Sequence, residues 1–277
     1  MTTLAKYITR IEISSLWSGH KHIVWNLRPD VNVLSGGNGA GKSTILNRLI
    51  QHLRNVPTSG EIIEGMRLGV KIDFSPADAT CIHYDIIRSF DRRLVNVEKL
   101  EQLTDGRINT ELDWQLYQLQ RRYLDYQVNV ANRMIEMLSS GDLETRAKAA
   151  EAAKIKTHFQ DLVDDLFSET GKRIDRKSNE LNFIQYDEQL QPYLLSSGEK
   201  QMLIILLTVL TEDRKPYVLF MDEPEASLHF EWQKRLIGMI RDLNPNAQIV
   251  LTTHSPAVII DGWQDVVTDV SDITVKP

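Results

Sequence analysis

The residues best placed to do chemistry stand at Gly36-Gly37-Asn38-Gly39-Ala40-Gly41-Lys42-Ser43, which satisfies the phosphate-binding P-loop pattern. Glycines let the backbone curl so that successive N–H groups face phosphate oxygens, and a helix opening near Lys42 adds its positive end. In that geometry Lys42 sets a cation on the β- and γ-phosphates of ATP. Ser43 offers a hydroxyl to Mg²⁺, and Thr44 closes the phosphate-binding run. A Gly-rich turn of no function would not need a strand before it and a helix after it.

Two acids follow much later, in Tyr217-Val-Leu-Phe-Met-Asp222-Glu223-Pro224. An acid ending a hydrophobic strand reaches a metal shell, so Asp222 is the metal-side carboxylate. Its neighbour Glu223 points elsewhere and suits a general base that polarises the attacking water. Between the two motifs lies Leu195-Ser196-Ser197-Gly198-Glu199-Lys200-Gln201, followed at once by the apolar run Met202–Leu210. Small and hydroxyl-bearing residues opening a helix make an anion site; taken alone, the same segment reads as a plain N-capped helix. His254, in Leu251-Thr-Thr-His254-Ser255-Pro256, comes just after another strand-like run.

These groups need a frame, and the chain supplies one. Tyr7–Ile13 alternates at period two, and Val31–Leu34 is a short buried strand. Ile45, Leu46, Leu49, Ile50 and Leu53 recur at helical spacing after the P-loop. Val70–Phe74 and Thr80–Ile87 are further strands. Tyr217–Met221 and Gln248–Thr252 are apolar and rich in β-branched residues, as parallel strands buried on both faces should be, with a helix from Phe230 to Leu243 between them. Glu111–Leu138 and Asp142–Phe167 are long amphipathic patterns broken at Gly141, with Leu112, Leu116, Leu119 and Tyr123 on one face. They predict an antiparallel helical hairpin set into an α/β domain, without sustained heptads. The expected division is residues 1–94 for the first lobe with the P-loop, 95–177 for the helical insertion and 178–277 for the second lobe.

Composition narrows the partners. The chain has 277 residues, 42% hydrophobic and 25% charged, with a net charge of −6. That is ordinary globular composition, and no global positive field draws nucleic acid. The single cysteine, Cys81, excludes an intramolecular disulfide and fits a reducing cytoplasm. The apolar run Met202–Leu210 is too short to span a bilayer, so no membrane partner is expected. Arg88, Arg92 and Arg93 before the insertion and Lys172, Arg173, Arg176 and Lys177 after it read as a solvated charge run, or else as a groove for nucleic acid or an acidic partner.

Taken in order, the motifs resemble those of ABC-type ATPases. The resemblance covers roughly residues 4–55 and 180–262. It implies an ABC-ATPase head: a P-loop NTPase with a mostly parallel central sheet, an antiparallel N-terminal β-subdomain and an inserted hairpin. It also implies that Ser196, Ser197 and Gly198 form a signature closing on the nucleotide of a second protomer. His254 becomes the switch histidine at the γ-phosphate, and Glu225-Ala-Ser-Leu-His229 the D-loop. Transporters usually carry a glycine pair and glutamine in the signature and aspartate at the end of the D-loop. Ser197-Gly198-Glu199-Lys200 and Leu228-His229 instead resemble the SMC/RecF/OLD-like branch, especially short bacterial AAA-domain proteins of phage-defence and toxin systems. No nuclease domain of the OLD type is expected, since the sequence ends at Pro277. No glutamine after the strand near Ile87 marks a Q-loop, and Gln102 is a weak candidate. The resemblance implies a homodimer closed by ATP and Mg²⁺ that controls a separate effector, such as a nuclease or toxin. A RecF-like ATPase acting on DNA is the alternative, and a transporter subunit fits less well.

Overall fold

A computed structural model describes residues 3–17, 19–54, 69–88, 108–139 and 143–275. Its centre is a five-stranded parallel sheet in the order β11-β3-β10-β9-β5. The strands are β3 (Val31–Ser35), β5 (Tyr84–Arg88), β9 (Tyr217–Asp222), β10 (Ala247–Thr252) and β11 (Val267–Asp269). β9 and β10 are buried along both faces, and this explains their unbroken apolar sequence. Alternate side chains serve two cores. Val218, Phe220 and Val250 face one apolar layer, while Leu219, Met221, Ile249 and Leu251 face the other.

The first layer is closed by an antiparallel sheet in the order β12-β2-β1-β4 and by helix α1 (Lys42–Arg54). β1 (Tyr7–Leu16) pairs with β2 (Lys21–Asn26) on one side and β4 (Val70–Ser75) on the other, and β12 (Thr274–Val275) edges the sheet. The second layer is closed by α4 (Ser197–Thr211), α5 (Phe230–Leu243) and the two long helices α2 (Glu111–Ser139) and α3 (Leu143–Leu166). Met202 to Leu210 are buried in α4, as the apolar run requires. Leu112, Leu116, Leu119 and Tyr123 form the buried face of α2.

The structure departs from the sequence reading in two places. The strand expected over Thr80–Ile87 begins only at Tyr84; Cys81 makes a single bridge to Leu4. Between the hairpin and α4 lies a small sheet not anticipated, β6 (Arg173–Ile174), β7 (Phe183–Gln185) and β8 (Glu188–Leu190). Its strands are too short to leave a periodic signal. Arg92, Arg93 and Gln102 lie outside the described residues.

Candidate functional site

The carboxyl ends of β3, β9 and β10 meet at one end of the parallel sheet, where ligands of open α/β sheets bind. β3 runs directly into the loop Gly36–Gly41, and α1 begins at Lys42 with no acid in its first turn. The helix end therefore keeps its attraction for anions. Gly41 has φ 105°, and a β-carbon there would collide with the ring of Trp17, which lies over the loop from the β1–β2 turn. Only glycine fits both constraints. Asn38, Gly39 and Thr44 are exposed, with Ala40 donating its N–H to the Gly37 carbonyl.

Lys42 is buried, and its Nζ donates to the carbonyls of Gly36 (2.8 Å) and Gly37 (3.3 Å). It also lies 3.3 Å from Nδ1 of His254, whose Nε2 is 3.0 Å from Oε1 of Glu223. An ammonium can only donate, so Nδ1 must accept. That leaves the imidazole proton on Nε2, directed at Glu223. Lysine, histidine and the expected base thus form one continuous chain of contacts.

Asp222 closes the other side. Its Oδ1 accepts from Ser43 Oγ at 2.9 Å and from Thr252 Oγ1 at 2.5 Å. Thr252 pairs with Asp222 in the β9–β10 register, so the sheet itself sets this contact. The N–H of Glu223 donates to the carbonyl and hydroxyl of Thr252 at 3.1 and 3.2 Å. Glu223 is held at φ 49°, unusual for a residue with a side chain, and these bonds hold it there. Ser43 and Asp222 together offer hard oxygen donors on one spot, and that chemistry suits Mg²⁺.

Glu225, which opens the expected D-loop, and Gln233, which the sequence reading gave no role, organise the site. Glu225 is buried, and its Oε1 accepts from Thr253 Oγ1 (2.5 Å), His254 N (3.0 Å) and Ser255 N (3.3 Å). Gln233 donates to the Leu228 carbonyl at 2.9 Å and accepts from Ser255 Oγ at 2.6 Å. Together they tie the turn bearing His254 to the segment Glu225–His229. Gln233 lies on helix α5, where its spacing alone does not reveal a partner beyond that helix.

The Ser196–Gly198 segment is positioned separately. Ser196 caps α4 in a reciprocal box: its Oγ accepts from Glu199 N, while Glu199 Oε2 accepts from Ser196 N at 2.8 Å. Ser196 and Ser197 remain exposed. Gly198 approaches so closely that a β-carbon would stand 2.5 Å from the Ser227 carbonyl oxygen. Glu199 receives Lys172 Nζ at 2.8 Å, and Lys200 donates to Asp113 Oδ1 at 2.8 Å. Burial raises the Glu199 pKa, but Lys172 and Ser196 outweigh it and hold the carboxyl below its usual range.

That pairing bears on the cations that follow the hairpin. Lys172 is committed to Glu199, and Arg176 bridges Asp161 (2.6 Å) and Asp164 (2.7 Å). Of the cations after the hairpin, only Arg173 and Lys177 remain exposed without such a pair among the described residues. Acids of α3 and α4 neutralise the other two, as in a solvated run of charge. Nor is any helix among the described residues long and apolar enough to cross a membrane.

Known proteins resemble this chain. Residues 96–261 match the family model described as "AAA domain, putative AbiEii toxin, Type IV TA system". The Septu protein PtuA of Bacillus thuringiensis is 23% identical over 84% of this chain and 68% of its own length. A retron Vc95 probable ATPase of Vibrio cholerae is 29% identical over 29% of this chain, and the match spans only 18% of that protein. Among solved structures, an SMC head bound to the C-winged helix domain of ScpA superposes with a TM-score of 0.50. It covers 92% of this chain and 91% of that one at 14% identity, which establishes the fold. The parallel sheet, the P-loop and the family match agree: the chain belongs to this family of AAA-domain proteins and is an ABC-like ATPase with the head architecture of SMC proteins.

Proposed function

We propose that the protein binds ATP with Mg²⁺ and hydrolyses it between two copies of itself, and that this closure governs a separate effector in bacterial antiviral defence. The observation that carries the reading is the contact chain Lys42–His254–Glu223 beside Ser43–Asp222, at the open end of the sheet.

Each residue then has a task. The N–H groups of Gly36–Gly41 and the Lys42 ammonium bind the phosphates, with Thr44 at the start of α1 supporting them. Ser43 and Asp222 would hold Mg²⁺, which neutralises phosphate charge when bound. Glu223 takes the proton of the attacking water. The Nε2 proton of His254 keeps the Glu223 carboxylate aimed, while its Nδ1 lies next to Lys42, where a γ-phosphate would stand. Ser196 and Ser197 are exposed and, with Gly198 beside them, suit the nucleotide held by a second copy, giving two shared sites per symmetric pair. In this reading residues 95–177 are an insertion between lobes 1–94 and 178–277. The defence role rests on relatives named for Septu and retron systems and on a family described through a toxin.

A mixing experiment tests the shared site. Ser197→Arg should still bind ATP yet not hydrolyse it, and Lys42→Ala should fail to hold ATP. A mixed pair contains one composite site with both faces intact, so turnover returns on mixing. Two folded variants whose mixture hydrolyses no faster than either alone would overturn the proposal.

A further inference from the structure

Helix α2 carries two apolar stripes, and among the described residues one is buried while the other is largely exposed. Leu112, Leu116, Leu119, Tyr123, Tyr126 and Val130 are buried in the second core. Leu124, Val128, Ala131, Ile135 and Leu138 recur four and three residues apart, and that rhythm places them about 120° around the helix from the buried stripe. Val128, Ile135 and Leu138 are 57%, 62% and 53% exposed. Scattered surface apolar residues are normal, but a continuous seam in coiled-coil rhythm is not.

We propose that this seam is where α2 of a second copy docks, antiparallel, in a contact separate from nucleotide-driven closure. The seam matches itself when reversed. With a two-fold axis between Asn129 and Val130, Leu124 faces the partner's Ile135 and Val128 faces the partner's Ala131. The smallest side chain thus falls next to the axis, where the helices come closest. At the outer end Leu138 meets the stem of the partner's Arg121. In each copy that guanidinium is steadied by its own Tyr117, to whose hydroxyl it donates at 3.0 Å.

The rim also favours a second copy. Gln118, Asp125, Asn132 and Ser139 flank the open side of the seam, all exposed, with one charge among them. Laid antiparallel, Asp125 meets the partner's Asn132, so no like charges oppose each other. A basic or acidic partner helix would find little to pair with. The seam is about 21 Å long on a helix about 10 Å wide, and two such strips bury on the order of 800 Å² in total. Stable interfaces of standard size bury about 1,200 Å² or more. The pair therefore forms reversibly and depends on concentration.

Full-length protein without nucleotide tests this by sedimentation, with cross-linking in a Cys81→Ser background. Mass should rise toward a dimer with concentration, and Ile135→Glu with Leu138→Glu should abolish the rise while leaving the melting curve unchanged. Chains carrying Val128→Cys mixed with chains carrying Ala131→Cys should cross-link to each other at least tenfold faster than either does to itself. A monomer at every concentration would overturn the proposal, as would preferential self-cross-linking at both positions, the mark of parallel pairing. Neither measurement involves ATP, so failure here leaves the shared nucleotide site untouched, and failure there leaves this seam untouched.

Discussion

Gly198→Ala adds one methyl group where α4 meets the segment Glu225–His229. The new carbon would stand 2.5 Å from the Ser227 carbonyl oxygen, whereas ordinary van der Waals contact begins at 3.4 Å. Backbone must therefore separate from backbone by about 0.9 Å, because neither side has a flexible end to give way. Overpacking of this kind costs about 1–3 kcal/mol of stability. The displaced segment includes Glu225 and Leu228, whose bonds to Thr253, His254 and Gln233 aim the histidine. A misplacement near 1 Å costs on the order of 100-fold in rate, so turnover should fall between about 10- and 100-fold while ATP affinity, set at the P-loop, stays within about threefold. Gly238→Ala is the internal control. It lies inside α5 with nothing within 4 Å of the new carbon, and alanine there should stabilise by about 0.5–1 kcal/mol. Urea denaturation, phosphate release and calorimetric ATP titration read all three quantities. Gly198→Ala with parental stability and turnover within twofold would refute the close-approach argument.

Three further outcomes follow from the site and its supports. Glu223→Gln keeps the shape that His254 contacts but loses basicity, so ATP binding should persist while steady-state phosphate release drops at least about 100-fold; hydrolysis within tenfold of the parent would remove Glu223 as the base. Lys42→Ala removes the buried cation of the P-loop and should weaken ATP binding at least about tenfold by calorimetry; unchanged affinity would mean that Lys42 does not reach the phosphates. Burial and the neighbouring Asp85 carboxylate push Glu212 up to about 7 against the pull of Arg122, which donates to it at 2.5 Å. The folded state then binds the Glu212 proton more tightly than the unfolded state, so this group's contribution is full below pH 4.5 and is lost as pH rises through about 7. Glu212→Gln should escape a loss on the order of 1–3 kcal/mol between pH 5 and pH 8, and parallel denaturation curves for the two proteins across that range would contradict it.

The parts of the site visible in the sequence are those whose chemistry is local. A P-loop is contiguous, and its strand and helix follow from period and apolar run, so Lys42 and Ser43 could be placed before any fold was known. Asp222, Glu223 and His254 were legible because each ends a strand buried on both faces. What stayed hidden depends on long-range pairing. Thr252 holds Asp222 only because β9 and β10 are in register, and Arg122 joins Asp85 and Glu212 across three elements. The small sheet β6–β8 consists of two- and three-residue strands turned through Tyr186 and Asp187, both at positive φ without glycine, so neither periodicity nor turn composition announced it. The seam on α2 was hidden for another reason. A helix with apolar residues on two sides blurs its own amphipathic pattern, and only burial separates the used face from the exposed one.

The charged pair Glu199-Lys200, in the segment proposed as a signature, has a structural role. Helices α2 and α4 both open with a reciprocal cap in which an acid at the third position binds the capping residue's backbone, Asp113 with Thr110 and Glu199 with Ser196. Each of these acids also takes a lysine: Asp113 takes Lys200, and Glu199 takes Lys172. The Glu-Lys pair that stands where transporters have other residues therefore reaches in two directions, to the start of α2 and to the chain just after α3. Both ends of the long hairpin are fastened to the helix whose N-terminus bears Ser196 and Ser197. The Asp113–Lys200 pair is almost dry, with side chains 5% and 11% exposed, so removing one partner leaves a charge that neither water nor a neighbour compensates. A glutamine in place of Glu199 could make no ion pair with Lys172. The charges of Glu199 and Lys200 thus fasten the hairpin to the helix that bears Ser196 and Ser197.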